Sequence, residues 1–309
     1  MCDIWKGNHN LKQLQETDIS GLMASLKKFG TQQVLMSGGE ALLHPNFFLF
    51  CKMLKKENIR ISLLSAGLVI KKHAAQITEW IDDMIVSLDG DAALHDTIRN
   101  IPGAFQKLKE GIDAVRSIVP DFSISGRTVI HRLNYRRWHA IIESAAEIGL
   151  DSISFLPADV SSNAFNREIA WTGARQHEVL PAEEELPALQ AVIDNITTEY
   201  KDDFANGFIA ESPLKIQKIH DYYAAQYGRN PFPYKKCNAP WVSAVIEADG
   251  NVKPCFFHDV VGNIQAAGLD DIINSERAIA FRKNLDMDKN DTCRKCVCSL
   301  NLSPSTSLF

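Results

Sequence analysis

Residues 33–40 read Gln33-Val34-Leu35-Met36-Ser37-Gly38-Gly39-Glu40, and this stretch decides the fold. A short β-prone apolar run stops at a serine and two glycines, and an apolar helical segment follows over residues 47–54. The same unit recurs outward along the chain. Residues 59–65, 83–88, 122–130 and 152–156 also read as strands. Between them Phe105, Leu108, Ile112 and Val115 share one helical face, as do Trp138, Ile141, Ile142, Ala145 and Ile148. Ahead of residue 33, Ile19, Leu22, Met23 and Leu26 do the same, with Thr17 or Asp18 as cap and Gly30 just past the end. Strands roughly 25–40 residues apart with a helix in each gap are βαβ crossovers, which impose a parallel sheet. The expected fold class is α/β.

In such sheets chemistry collects at the C-terminal ends of the strands. Those ends read Ser37-Gly38-Gly39-Glu40, Ser65-Ala66-Gly67, Ser87-Leu88-Asp89-Gly90 and Leu156-Pro157-Ala158-Asp159. Gly38 and Gly39 let a ligand approach the backbone, and Glu40 can face a cationic group; a tight turn with an exposed Glu is the plainer alternative. Ser87, Asp89 and Gly90 equally suit a helix cap and turn. Asp159 and Arg167 lie where open sheets bind substrate groups, although surface polar residues in a loop account for them as well.

The sequence has 309 residues, 45% hydrophobic and 23% charged, enough for a sizeable core in one or two domains. Lys+Arg 33 against Asp+Glu 38 gives −5 with the signs interspersed. There is no basic stripe for nucleic acid and no polybasic membrane anchor. No apolar run approaches the ~18–20 residues of a membrane span, and the first ten residues do not resemble a signal peptide. These features predict a cytoplasmic protein with a peptide or small-molecule partner.

Five of the seven cysteines lie at or beyond residue 237. Cys237 and Cys255 flank a hairpin signal at Asp249-Gly250, and Cys293-Arg294-Lys295-Cys296 follows a helical stretch. Four thiolates so gathered suit either a tetrahedral zinc or an iron–sulfur cluster. Cys298 reads as a bystander because four ligands already close a site, and Cys51 as a core residue in a helix. Between 157 and 236 the strand–helix alternation is lost, and residues 182–200 are helical. The chain thus divides into 1–156, a bridging region 157–236, and a small α+β unit 237–309.

Taken together these motifs resemble the radical S-adenosylmethionine (radical SAM) superfamily, in the subgroup with a C-terminal SPASM or twitch extension. Cys2-Asp3-Ile4-Trp5 is similar to the end of that family's Cys-x-x-x-Cys-x-x-Cys loop. Ser37-Gly38-Gly39-Glu40 matches its Gly-Gly-Glu motif, and Ser87-Leu88-Asp89-Gly90 with His95-Asp96 and Arg99 matches a further stretch. Cys237, Gly250, Cys255, Gly262-Asn263-Ile264, Cys293 and Cys296 resemble the auxiliary-cluster pattern, the shorter twitch form best. The resemblance implies a partial (β/α)6 barrel lacking its first strand, with a twitch/SPASM-like cluster domain. It implies an oxidoreductase that uses a [4Fe–4S] cluster, S-adenosylmethionine (AdoMet) and one auxiliary [4Fe–4S] cluster. A 5′-deoxyadenosyl radical would abstract a substrate hydrogen, fed by a one-electron reductant such as flavodoxin or ferredoxin. Glu40, with Gly38 and Gly39, would hold the methionine amino group. Ser87, Asp89 and Arg127 are candidates for the carboxylate and ribose. Cys2 would ligate the first cluster, and Cys237, Cys255, Cys293 and Cys296 the second. The two upstream cysteines of the loop are absent, so an N-terminally truncated and inactive form of an enzyme is expected. The alternative is a non-catalytic relative or scaffold with a structural zinc or iron–sulfur site.

Overall fold

A computed structural model of the chain describes residues 12–164, 167 and 169–303. Its centre is a five-stranded, wholly parallel sheet in sequential order, made of β1 (Gln33–Met36), β2 (Arg60–Ser65), β3 (Asp83–Ser87), β4 (Ser123–Ile130) and β5 (Ser152–Pro157). Each crossover carries helix: α1 (Glu16–Lys28) precedes the sheet, and α2 (Phe47–Lys56), α3 (Ile70–Trp80), α4 (Ala92–Arg99), α5 (Ala104–Ile118) and α6 (Trp138–Glu147) fill the gaps. The strands foreseen from the sequence are all present to within a residue or two. The cap of α1 is different. Gln15 is the N-cap, and Asp18 sits inside the first turn, accepting from the Gln15 backbone N–H at 2.7 Å.

The sheet is covered on one face. Along β4, Ile124, Gly126, Thr128 and Ile130 are buried, whereas Ser123, Ser125, Arg127 and Val129 are not. Ile153 and Phe155 of β5 are buried in the same way. Parallel sheets are normally sealed on both sides. Here the second face is less covered, and on it the register sets Ser87 beside Arg127 and Arg127 beside Ser154.

The bridging region holds α7 (Gly173–Val179), α8 (Leu186–Glu199), α9 (Lys201–Asn206) and α10 (Pro213–Gln226), of which only the second was legible in advance. It caps the outer edge of β5. Ile153 N donates to Phe208 O at 2.7 Å, Ala210 N donates to Ile153 O at 3.0 Å, and Glu211 accepts from Phe155 N at 2.8 Å. Unpaired strand edges invite association with other chains, and this contact removes one of them. Tyr223 of α10 fastens two strand ends, its hydroxyl donating to Ile130 O and accepting from Ala158 N. Among the described residues no strand pairs with the outer edge of β1.

Beyond residue 237 come α11 (Ala239–Val242), the antiparallel strands β6 (Val245–Ile246), β7 (Asn251–Lys253) and β8 (Gly262–Asn263), then α12 (Leu269–Ile273), α13 (Glu276–Asn284) and α14 (Asp291–Lys295). The hairpin turn uses Gly250 at φ +81, a conformation that glycine adopts without strain. This unit does not have a core of its own. Val252, Val261, Leu269, Ile272 and Ala278 join Ile19, Leu22 and Phe50 of α1 and α2 in one buried cluster. Asp270 accepts from Ser25 Oγ at 2.9 Å and pairs with Lys28 at 2.7 Å across the same seam.

Candidate functional site

The glycine turn after β1 places Glu40 at the C-terminal end of the sheet. Gly38 takes φ +144, and a Cβ built there would project into open space, which leaves the backbone approachable. Glu40 Oε2 accepts from Ser65 Oγ and from Ala66 N, both at 2.9 Å, and Oε1 accepts from Leu42 N at 3.4 Å. Ser65 Oγ in turn accepts from Gly67 N at 3.0 Å. The carboxylate is thereby aimed by the ends of two strands while retaining lone pairs for a further donor.

The end of β3 carries a buried polar network. Asp89 is 3% exposed and pairs with Arg99 at 2.6 Å, its backbone N–H donates to His95 Nδ1 at 3.2 Å, and its carbonyl accepts from Asn134 Nδ2 at 3.2 Å. Thr128 Oγ1 donates to Leu88 O. Asp96 accepts from Gly103 N at 2.5 Å and Phe105 N at 2.9 Å, capping α5. Ser87, half-buried, and Arg127, exposed, sit side by side on the open face, with Arg127 Nε donating to Ser154 Oγ at 3.3 Å. Glu40, Ser87 and Arg127 therefore all stand at the open end or open face of one sheet. His131, just past β4, was not singled out from the sequence. Burial pushes its pKa down to about 4 against the opposing pull of Asp89, so the ring is neutral at physiological pH.

Asp159 and Arg167 correct the expectation of surface polar residues in a loop. Both side chains are 2% exposed, and they pair at 2.7 Å, with Arg167 also donating to Asp159 O at 2.8 Å. The guanidinium lies over the Trp171 ring, 3.9 Å from its centroid. Cys51 is fully buried in α2, as expected.

Cys2 lies outside the described residues. The remaining thiols are free. Burial, then the proximity of Cys255 and Cys237, pushes the Cys293 thiol up to about 11; burial, then Cys298, pushes Cys296 up to about 12. Cys255 is raised by burial and by Cys237. Thiols that raise one another's pKa need a cation among them to ionise together, which is the chemistry of a metal–thiolate site. Backbone N–H groups already address the sulfurs: Leu300 N donates to Cys237 Sγ at 3.5 Å and Cys298 N to Cys296 Sγ at 3.3 Å. Lys235 donates to Cys296 O, and His258 Nε2 lies 3.3 Å from Cys293 Sγ. Among the described residues no three His, Cys, Asp or Glu side chains are grouped as ligands of one metal ion. The donor set suits an iron–sulfur cluster, in which each thiolate serves its own iron.

Two family models match the chain. Residues 1–145 match the Radical SAM superfamily, and residues 237–297 match SPASM, an iron–sulfur cluster-binding domain. Among curated proteins the chain is 26% identical over 140 residues to AdoMet-dependent heme synthase of Methanosarcina barkeri, a match covering 44% of this chain and 40% of that protein. It is 24% identical over 249 residues to the antilisterial bacteriocin subtilosin biosynthesis protein AlbA of Bacillus subtilis, covering 78% and 48%. The matched stretches span less than half the length of these relatives. Among solved structures, native anSMEcpe with bound AdoMet is similar at a TM-score of 0.62 and 16% identity, over 92% of this chain and 80% of that one. The same protein with bound AdoMet and the Kp18Cys peptide gives 0.60 at 16% identity, over 92% and 81%. At such identities the likeness shows the fold: a radical SAM core followed by a C-terminal region with its own small sheet.

Proposed function

This chain belongs to the radical SAM superfamily and carries its iron–sulfur cluster-binding SPASM extension, and from that premise we propose that it is part of an enzyme that modifies a peptide by radical chemistry. The observation that carries this is the Glu40 carboxylate, held by Ser65 and Ala66 at the C-terminal end of the sheet. When bound, AdoMet on a reduced [4Fe–4S] cluster supplies a 5′-deoxyadenosyl radical that takes a hydrogen atom from the substrate. Glu40 would accept hydrogen bonds from the methionine ammonium, beside the exposed backbone of Gly38 and Gly39. Ser87 and Arg127, side by side on the sheet face, would be candidates for the carboxylate and ribose. Asp89, through Arg99, holds the β3 end in place beneath them. The apolar layer under the sheet supports this end.

A peptide substrate is favoured by the company the chain keeps: anSMEcpe is solved with a peptide, and AlbA is named for bacteriocin biosynthesis. Cys237, Cys255, Cys293 and Cys296 would hold one auxiliary [4Fe–4S] cluster, and a one-electron donor of the flavodoxin or ferredoxin class would reduce the AdoMet-binding cluster. The 309 residues contain one thiolate, Cys2, of the three that the catalytic loop uses. The chain by itself therefore does not cleave AdoMet, and cleavage requires two further thiolates.

The experiment is anaerobic reconstitution with iron and sulfide, followed by assay of 5′-deoxyadenosine with AdoMet and dithionite. It compares this chain with one extended by a Cys-x-x-x-Cys-x-x segment before Cys2. Product from the extended chain alone is expected. Product from the short chain overturns the ligand count, and product from neither, with iron bound in both, makes the protein a non-catalytic relative.

A further inference from the structure

His258 stands three residues after Cys255, outside the cysteine and glycine motifs of the C-terminal unit. Two contacts fix its ring. The backbone N–H of His258 returns to Cys255 O at 3.4 Å, and the imidazole packs edge-on against Phe281 of α13, with centroids 4.8 Å apart at 65°. So held, Nε2 reaches Cys293 Sγ at 3.3 Å. Cys293 belongs to α14, whose N-cap Asn290 accepts from the Cys293 backbone N–H at 3.0 Å. One imidazole thereby bridges the two cysteine-bearing segments of the C-terminal unit.

A protonated thiol can donate to an imidazole nitrogen, but a thiolate on iron can only accept. We propose that in the cluster-loaded protein His258 donates Nε2–H to the Cys293 thiolate and so sets the auxiliary cluster's reduction potential without being a ligand. The inference rests on Cys293 being a cluster ligand. A donor at the sulfur draws electron density off the iron–thiolate bond and stabilises the reduced cluster, whose added electron increases the negative charge there. The potential therefore rises relative to a cluster without this bond. The neighbouring contacts to sulfur come from backbone amides, Leu300 N and Cys298 N, which side-chain substitution leaves in place. His258 offers a side chain through which this tuning can be varied.

The test uses the full chain, reconstituted anaerobically, with iron per chain and an EPR-monitored redox titration as readouts. H258F keeps a ring against Phe281 and removes the donor; H258Q restores an N–H. The expected result is unchanged iron in both variants, a midpoint potential shifted to more negative values in H258F, and partial return in H258Q. An unshifted midpoint in H258F overturns the proposal. Loss of iron in H258F with retention in H258Q also overturns it, because His258 would then be needed to hold the cluster. C293A is the separate control for the ligand reading. Iron retained there removes Cys293 from the ligand set and overturns the proposal at its premise, whereas an unshifted midpoint in H258F with iron lost in C293A overturns the tuning role alone.

Discussion

Glu40 and Ser65, twenty-five residues apart in the chain, meet through a 2.9 Å hydrogen bond that latches the end of β1 to the end of β2. The Ser65 hydroxyl is spent on the carboxylate, so the strand ends position Glu40 before any ligand arrives.

A hydrogen bond to a charged group contributes about 1.5–3 kcal/mol. E40A in the extended chain is therefore expected to weaken AdoMet binding about 10- to 100-fold, while iron at the C-terminal site stays unchanged. Equilibrium dialysis measures the first and iron analysis the second. S65A, which removes only the latch, should cost a few-fold. Wild-type affinity in E40A would remove Glu40 from the cofactor site.

The thiols divide four to one. C237A, C255A, C293A and C296A should each lose most of the reconstituted iron, because a site missing one thiolate is left open to solvent and chelators. C298A should keep nearly all of it, since the N–H that Cys298 gives to Cys296 Sγ belongs to the backbone. A large loss in C298A would show that Cys298 replaces one of the four.

His131 gives stability a pH dependence of definite sign. Its folded pKa of about 4 lies below the ordinary 6.5, so between these values the unfolded chain binds more protons. Stability from this group is full above pH 6.5 and falls as the pH drops towards 4, by on the order of 3 kcal/mol. His95, also lowered by burial, adds a slope of the same sign. Urea denaturation from pH 7 to 4 should show the decline, and H131N should flatten its own share. A decline as steep in H131N would assign the slope elsewhere.

Leu22 and Ile272, 5% and 4% exposed, share one buried cluster from distant parts of the chain. Truncating either to alanine should cost about 2–5 kcal/mol. Both variants should also lower iron retention, because the seam positions the hairpin between Cys237 and Cys255. Urea unfolding followed by tryptophan fluorescence, beside iron analysis, checks both effects. L22A with undiminished iron would show that the hairpin keeps its place without α1.

The strands were legible because each is a short run of apolar residues, and β1, β2 and β3 are cut off by serine and glycine, a pattern that parallel strands and their turns produce directly. The start of α1 lies two to three residues before the expected cap because Asp18 works from inside the helix, reaching back to Gln15, instead of standing before it. Helix α10 escaped notice since Tyr222 and Tyr223 replace the usual aliphatic residues on its buried face. Asp159 and Arg167 read as loop polarity because nothing in a sequence announces that two opposite charges eight residues apart will bury each other. At the candidate site the glycines, Glu40 and the cysteines stood out by spacing. His131 and His258 did not, although a histidine three residues beyond Cys255 is a position worth inspecting.

The seam between the C-terminal unit and α1–α2 also orders events on the ribosome. Ile19, Leu22 and Phe50 are made early, but their partners run from Val252 to Ala278. At ~5–20 residues per second, the apolar side of the first two helices waits roughly 10–40 s for its cover. During that interval the nascent chain presents the apolar side of α1 and α2 to its surroundings.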